Sequence, residues 1–263
     1  GTEGGGASGG GSAGADSATV QAAVAKDAKD WTLGEQEAVA KDIAAKGEAS
    51  PAYAKAKAAM DAGTKFSVKL TDGQTLTYRI IGINHDDLAD GSGKAGLTFL
   101  TTSTGISSRM TATNSNVGGW KKSELRQKMN SGEIWNLMPA DFQSKVKPVT
   151  KLTNNVGGGS AYATANVTTT SDKLFLLSYF EIGGFRMSDR PWIANEGTQY
   201  EAFKGKVTNM YAGNPCLSNG SIWWERSVSS QNAYDFVHVI SNGNASPCDC
   251  GLRSYCVCPA WCF

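Results

Sequence analysis

KFSVKLTDGQTLTYRI, Lys65 to Ile80, is where the chain changes its period. Phe66, Val68 and Leu70 alternate with polar residues, Asp72-Gly73 supplies a turn, and Leu76, Tyr78 and Ile80 alternate again, which predicts a β-hairpin. Upstream the period is helical. Val20, Val24 and Trp31 share one face, Thr32 and Glu35 make a T-x-x-E capping box, and Leu33, Val39 and Ile43 form a stripe that stops at Gly47. Ser50-Pro51 reads as N-cap and N1 of a third helix ending before Gly63. Helices followed by strands predict an α+β fold, with a helical unit over 16–63, serving as spacer or packing element, ahead of a larger domain over 64–263. Residues 1–15 are Gly/Ser-rich and cannot bury enough apolar surface to offset chain entropy, so they are expected to form a flexible tether.

Composition removes several classes of function. The 263 residues carry 25 Lys+Arg against 24 Asp+Glu, a net charge of +1, whereas neutralising nucleic-acid phosphates takes a clustered basic excess. No apolar run approaches the ~20 residues that cross a bilayer, and no charged-then-apolar leader opens the sequence. A chain without a transmembrane segment is expected, soluble or the mature part of an exported protein.

Downstream of the hairpin, Leu97 to Thr101 reads as a short strand. Between them, NHDDLADGSGKAG places His85, Asp86, Asp87 and Asp90 close together. Carboxylates at this density could hold Ca²⁺, but the alternate ligands and terminal Glu of an EF-hand loop are missing, so a solvated turn is expected. Lys121–Met129 and Pro139–Lys145 read as short helices, followed by a strand. In SDKLFLLSYFE, Lys173 to Ser178 reads as a buried strand. No helical periodicity is expected beyond it.

Four pieces recur in one order: W-x-x-S-x-L-R at Trp120, Ser123, Leu125 and Arg126; Ser171 to Ser178 with Glu181; Trp223 to Ser227; and Val257, Pro259, Cys262 and Phe263. Together they resemble a domain of actinobacterial and phage-associated proteins whose C-terminal half is similar to the C-type lectin fold of formylglycine-generating enzymes. Several members are variable proteins of diversity-generating retroelements. The resemblance covers about Lys65 to Phe263 and implies a C-type-lectin-like domain whose C-terminal segment is hypervariable. It also implies that Trp223-Trp224 belong to the scaffold beneath the binding face rather than to a sugar-stacking platform, with Arg226 and its neighbour Glu225 in a structural polar network.

Such retroelements, as the resemblance implies, scramble adenines, chiefly in the Asn codons AAC and AAT. Randomising the first two bases never yields Lys, Glu, Gln, Met or Trp. The last Lys is Lys206, the last Met Met210, the last Glu Glu225 and the last Gln Gln231; beyond Gln231 only Trp261 departs from the rule. A buried β-rich tail also avoids long charged side chains, but NASPCDCGLRSYC has no alternation of that kind. The variable segment is set at about 228–261. Its expected ligand contacts are Tyr234, Asp235, His238, Ile240, Asn244, Ser246, Pro247, Cys248, Asp249, Leu252, Arg253 and Tyr255. In Phe236-Val237-His238-Val239-Ile240, alternation sets His238 with Phe236 and Ile240 on one face, which favours a contact residue over a general base.

All six cysteines follow residue 215, and five lie between Cys248 and Cys262. Three readings stay open: a four-thiolate metal site from Cys248-x-Cys250 and Cys256-x-Cys258, whose spacing does not match common zinc motifs; a disulfide framework, in which C-x-C bridges are strained; and free thiols as outcomes of codon scrambling. Cys262 matches a framework position and reads as a small buried hydrophobe. The preferred expectation is a non-catalytic receptor or adhesin without cofactor or metal. It would bind a protein or glycan on another cell or virion from an extracellular, cell-surface or virion location, with an N-terminal lipid anchor possible. The alternatives are a formylglycine-type thiol oxidase and an undiversified phage tail or surface protein.

Overall fold

A computed structural model describes residues 17–159 and 166–263; the tether expected over 1–15 lies outside them. Ser17 accepts from the Val20 amide and starts α1 (Ala18–Val24). The Thr32–Glu35 capping box starts α2 (Leu33–Lys46), and Gly47, at φ 58°, ends it. The third helix, α3 (Tyr53–Ala62), begins later than Ser50-Pro51 suggests. Ser50 holds the turn just before it instead, its hydroxyl accepting from the Ala52 amide while donating to buried Asp42 on α2.

These helices share one core with the strands that follow. Trp31 donates to the Ala23 carbonyl at 2.8 Å and stacks on Phe66 with centroids 6.4 Å apart. The Tyr78 hydroxyl donates to Gln36 of α2 at 2.6 Å. A Cβ at Gly96 would fall 1.8 Å from the Ala40 carbonyl oxygen, so glycine is what allows α2 to press against the chain entering the third strand. The helical region is a packed layer of the domain.

The strands are β1 (Phe66–Lys69), β2 (Thr75–Ile83), β3 (Leu97–Ser103), β4 (Ser107–Ser108), β5 (Val149–Asn154), β6 (Val167–Asp172), β7 (Trp223–Val228), β8 (Asp235–Val239), β9 (Cys248–Cys250), β10 (Tyr255–Cys256) and β11 (Ala260–Cys262). The expected hairpin is β1 with β2, in the register Phe66↔Tyr78 and Val68↔Leu76. The first sheet runs β1-β2-β3-β11, so the end of the chain closes onto β3 with Trp261 opposite Phe99. The second runs β4-β10-β7-β8-β9, parallel only between β10 and β7, and β5 pairs with β6 separately. The molecule is mixed α+β.

Between the sheets, Ser123 caps α4 (Glu124–Asn130), followed by α5 (Glu133–Leu137), which the sequence did not announce, and α6 (Ala140–Gln143). The Lys173–Ser178 strand needs correction. Leu174 to Ser178 is buried, but among the described residues it joins no ladder: it makes an isolated bridge from Phe175 to Ala260 and accepts from the Arg226 amide at Leu177. Ser178 then forms a second capping box, with Glu181, and starts α7 (Tyr179–Gly183), a helix that apolar periodicity did not reveal.

Glu181 belongs to a buried ionic network. Its carboxylate accepts from Lys151 of β5 and from Arg226 of β7. Lys151 also pairs with Asp86 at 2.6 Å and donates to the Tyr200 hydroxyl at 3.1 Å. Tyr200 and Thr98 donate to Asp86 at 2.8 and 2.7 Å. Arg226 completes its shell with Thr153 and the carbonyls of Leu152, Leu176 and Glu196. Asp86 therefore leaves the solvated turn expected around it: it is 4% exposed, while Asp87 and Asp90 remain at the surface. Burial pushes the Asp86 carboxyl up, but Lys151, His85 and its hydrogen bonds outweigh it and hold the group well below the usual range. Burial likewise opposes Glu181, where Arg226 and Lys151 prevail.

Removing one member of such a network leaves a buried charge uncompensated. Glu181→Gln is expected to cost about 3–5 kcal/mol, read as a lower urea midpoint, whereas Asp141→Asn at the exposed Asp141–Lys145 pair should barely move it.

Candidate functional site

The expected contact segment forms β8, β9, β10 and their connections, on a platform set by β7. Every residue of β7 is buried because it lies between β10 and β8. Trp224 donates to the Ser108 carbonyl at 3.0 Å and meets Phe236, His238 and Tyr255 at centroid distances of 6.3, 6.0 and 4.8 Å. It is fully buried, in keeping with a scaffold residue.

The segment is held largely through its main chain. Asn116, outside the segment, points its amide at the carbonyls of Ser229, Asn232 and Asp235 at 3.1, 3.1 and 3.0 Å, and its own N–H donates to the Ala233 carbonyl. Asn214 donates to the Gly243 carbonyl at 3.2 Å, in a turn where Gly243 has φ 92° and a Cβ would lie 2.0 Å from the Asn214 oxygen. Met110 and Thr111 both donate to the Gly251 carbonyl, and the Cys256 and Val257 amides donate to the carbonyls of Ile222 and Ile106. These partners address groups that every residue carries.

Among the expected contacts, Tyr234 (45%) and Leu252 (43%) are exposed, as is Arg253. Asp235, Ile240, Asn244, Pro247, Cys248, Asp249 and Tyr255 are half-buried. Tyr255 lies tilted against Trp224 and His238 and donates its hydroxyl to Asp249, which also faces Arg253 at 3.4 Å. Two positions differ from expectation. Ser246 is buried, donating to the Met210 carbonyl at 2.6 Å and meeting the Tyr179 hydroxyl at 3.0 Å. His238 is 5% exposed, since β7 and β9 flank its strand and Tyr255 lies across it. Burial draws its pKa down to about 4, so the ring is neutral at physiological pH, and its Nδ1 has no hydrogen-bond partner among the described residues.

Sequence reasoning missed Asn116, Asn214 and Arg190. Arg190 stacks over Trp192 and Tyr211, at 5.0 and 5.4 Å, and brings its Nη1 to 3.5 Å from Cys248 Sγ. No periodic signal marks such loop residues. The expected pairing of Glu225 and Arg226 in one network also divides: Arg226 engages Glu181, while both Glu225 oxygens are buried without a partner among the described residues. Burial first, and Glu196 second, raise the Glu225 pKa well above its ordinary value, which disfavours its charged form.

All six cysteines are free thiols. Cys248 and Cys250 sit on β9 and Cys256 on β10, with β8 and β7 between them, so three strand spacings of roughly 4.8 Å separate the C-x-C pairs. That arrangement does not converge four thiolates, and no group of three or more His, Cys, Asp or Glu suited to a metal occurs among the described residues. Cys262 is buried beside Thr98, a small core residue as read from sequence. A cavity of about 420 Å³ opens away from the segment, over Asp86, Lys151, Glu181 and Glu196. Lys151 is already saturated by its network partners there. No described helix is long and apolar enough to cross a membrane.

Among known families, the model of a domain of unknown function, DUF6273, matches residues 95–263. No curated protein matches the chain, and no solved structure does.

The unpartnered Glu225 carries a pH signature. Its folded pKa lies above the ordinary 4.5, so its contribution is whole below that pH and is lost as pH rises through the folded value. Glu225→Leu should therefore be more stable than the parent at neutral pH. The difference should shrink as the pH falls toward 4.5, a trend measurable by thermal melting across that range.

Proposed function

The chain belongs to the DUF6273 family, and on that premise we propose that it is a non-catalytic ligand-binding protein with a C-type-lectin-like domain. Its segment 228–261 is hypervariable through retroelement-directed mutagenesis, and it acts as a receptor or adhesin. One observation carries the reading: residues outside the segment, Asn116, Asn214, Met110, Thr111, Ile106 and Ile222, grip the segment at main-chain atoms. A backbone held in this way keeps its course when side chains change. The residue bias beyond Gln231 supports the same reading, and so does the exposure of Tyr234, Leu252 and Arg253.

The ligand class is a protein or glycan on another cell or a virion, met at an extracellular, cell-surface or virion location. Large side chains with a polar end, Tyr234 and Arg253 among them, suit such contacts. Tyr255 contributes differently: its ring covers Trp224 and His238, so it joins the platform to the exposed rim.

The decisive test is the DNA beside the gene. A near copy of the bases encoding residues 228–261, differing only at adenines and accompanied by a reverse-transcriptase gene, is the expected result; absence of both overturns diversification. In the protein, Tyr234→Ala, Leu252→Ala and Arg253→Ala should each stay within about 0.5 kcal/mol of the parent in unfolding, while Trp224→Ala should cost about 3–5 kcal/mol. Large losses at the three exposed positions would show that their side chains, rather than the clamps, hold the segment.

A further inference from the structure

Cys256 and Cys258 are separated by one residue, on and just beyond β10, and share one side of the chain. Their sulfurs are 3.9 Å apart. Cys258 is 1% exposed and receives a hydrogen bond from Asn219 Nδ2 at 3.3 Å, whereas Cys256 is half-buried. Two of the other four thiols have different surroundings: Cys262 is enclosed near Thr98 and Asp86, and Cys248 lies against Arg190 and the Ser246 carbonyl. A half-buried cysteine backed by a second, enclosed one is an arrangement suited to thiol–disulfide exchange.

We propose that Cys256 and Cys258 form an exchange site for low-molecular-weight disulfides, with Cys256 the attacking sulfur and Cys258 the resolving one. This does not rest on the ligand-binding function, and it needs neither metal nor oxygen. Cys256, as thiolate, attacks one sulfur of the small disulfide RSSR. The S–S bond breaks, and the departing RS⁻ takes up the proton that Cys256 released. Cys258 then loses its proton and attacks Cys256 Sγ in the mixed disulfide, expelling the second RS⁻, which receives that proton. The sum is RSSR plus two protein thiols giving one protein disulfide and two RSH: two electrons pass from the protein to the small disulfide, and excess thiol reverses the reaction.

The electrostatics agree with this order. The Cys258 S–H hydrogen bond draws the Cys256 pKa down, against the opposing effect of burial. That contact raises Cys258, as do burial and the negative charge on Cys256. Once Cys256 is capped its charge is gone, and one cause that keeps Cys258 protonated goes with it. By contrast, burial pushes Cys248 up to about 12 and Cys262 well above the ordinary thiol value. A bridge between cysteines two apart is strained, which places it among labile disulfides that exchange rather than among structural ones.

The test incubates the reduced full chain with oxidised glutathione, quenches with acid, and maps the products by intact-mass and peptide mass spectrometry. In the wild type, the peptide holding Cys256 and Cys258 should lose two hydrogens and retain no glutathione. Cys258→Ser should stop at one glutathione on Cys256, and Cys256→Ser should leave Cys258 unmodified. Cys256 should react roughly ten-fold or more faster than Cys248 and Cys262 in the folded protein, a preference that urea abolishes. Cys258→Ala repeats the trapping experiment, and melting of each variant confirms folding. A wild type that keeps glutathione on Cys256 without closing the bridge overturns the proposal, as does a folded Cys258→Ser protein that takes none.

Discussion

The contact between Glu181 and its two cations, Lys151 and Arg226, organises the molecule. Three charges at 3% side-chain exposure or less are tolerable only when their partners arrive together, because a single one left in the interior would carry a large desolvation penalty. The partners come from separate places: Asp86 after β2, Lys151 on β5, Glu181 in α7 and Arg226 on β7. Closing the network therefore brings all three sheets and the short α7 to one point. Tyr200 and Thr98, which donate to Asp86, tie in the loop before β7 and the strand β3.

With that centre set, the rest of the C-terminal half divides in two. β7 and β11 are buried throughout and belong to the core. The chain between them passes over Trp224, and framework asparagines and amides hold it by its carbonyls and N–H groups. Stability and side-chain identity are thus partly separated along one stretch of chain. Tyr255 and Ser246 mark where the separation fails, since their side chains complete the platform.

The sequence is legible where the physics is local. The Thr32–Glu35 capping box, the glycine stop at Gly47 and the Phe66–Ile80 hairpin depend on neighbours within a few residues. Ser178–Glu181 carries the same capping signal, yet the apolar run before it suggested only a strand; a segment buried on all sides looks alike whether it joins a ladder or not. The burial of Asp86 is not legible locally, because a crowded acidic turn implies solvent while its partner Lys151 lies 65 residues away. For His238, alternation assigned the correct face of β8 but not the Tyr255 ring that covers it.

By itself, the sequence determined the change from helical to strand period, the near-neutral charge, and the residue bias beyond Gln231 that singles out one segment. Those are properties of composition and of short-range pattern. Only the tertiary structure decided that the helices pack into the core, that Glu181 joins Arg226 while the Glu225 carboxyl has no hydrogen-bond partner among the described residues, and that Cys256 meets Cys258 while the β9 cysteines lie strands away. Each of these depends on which distant surfaces come into contact. Desolvation sets that choice over the whole chain, and no window of neighbouring residues contains it.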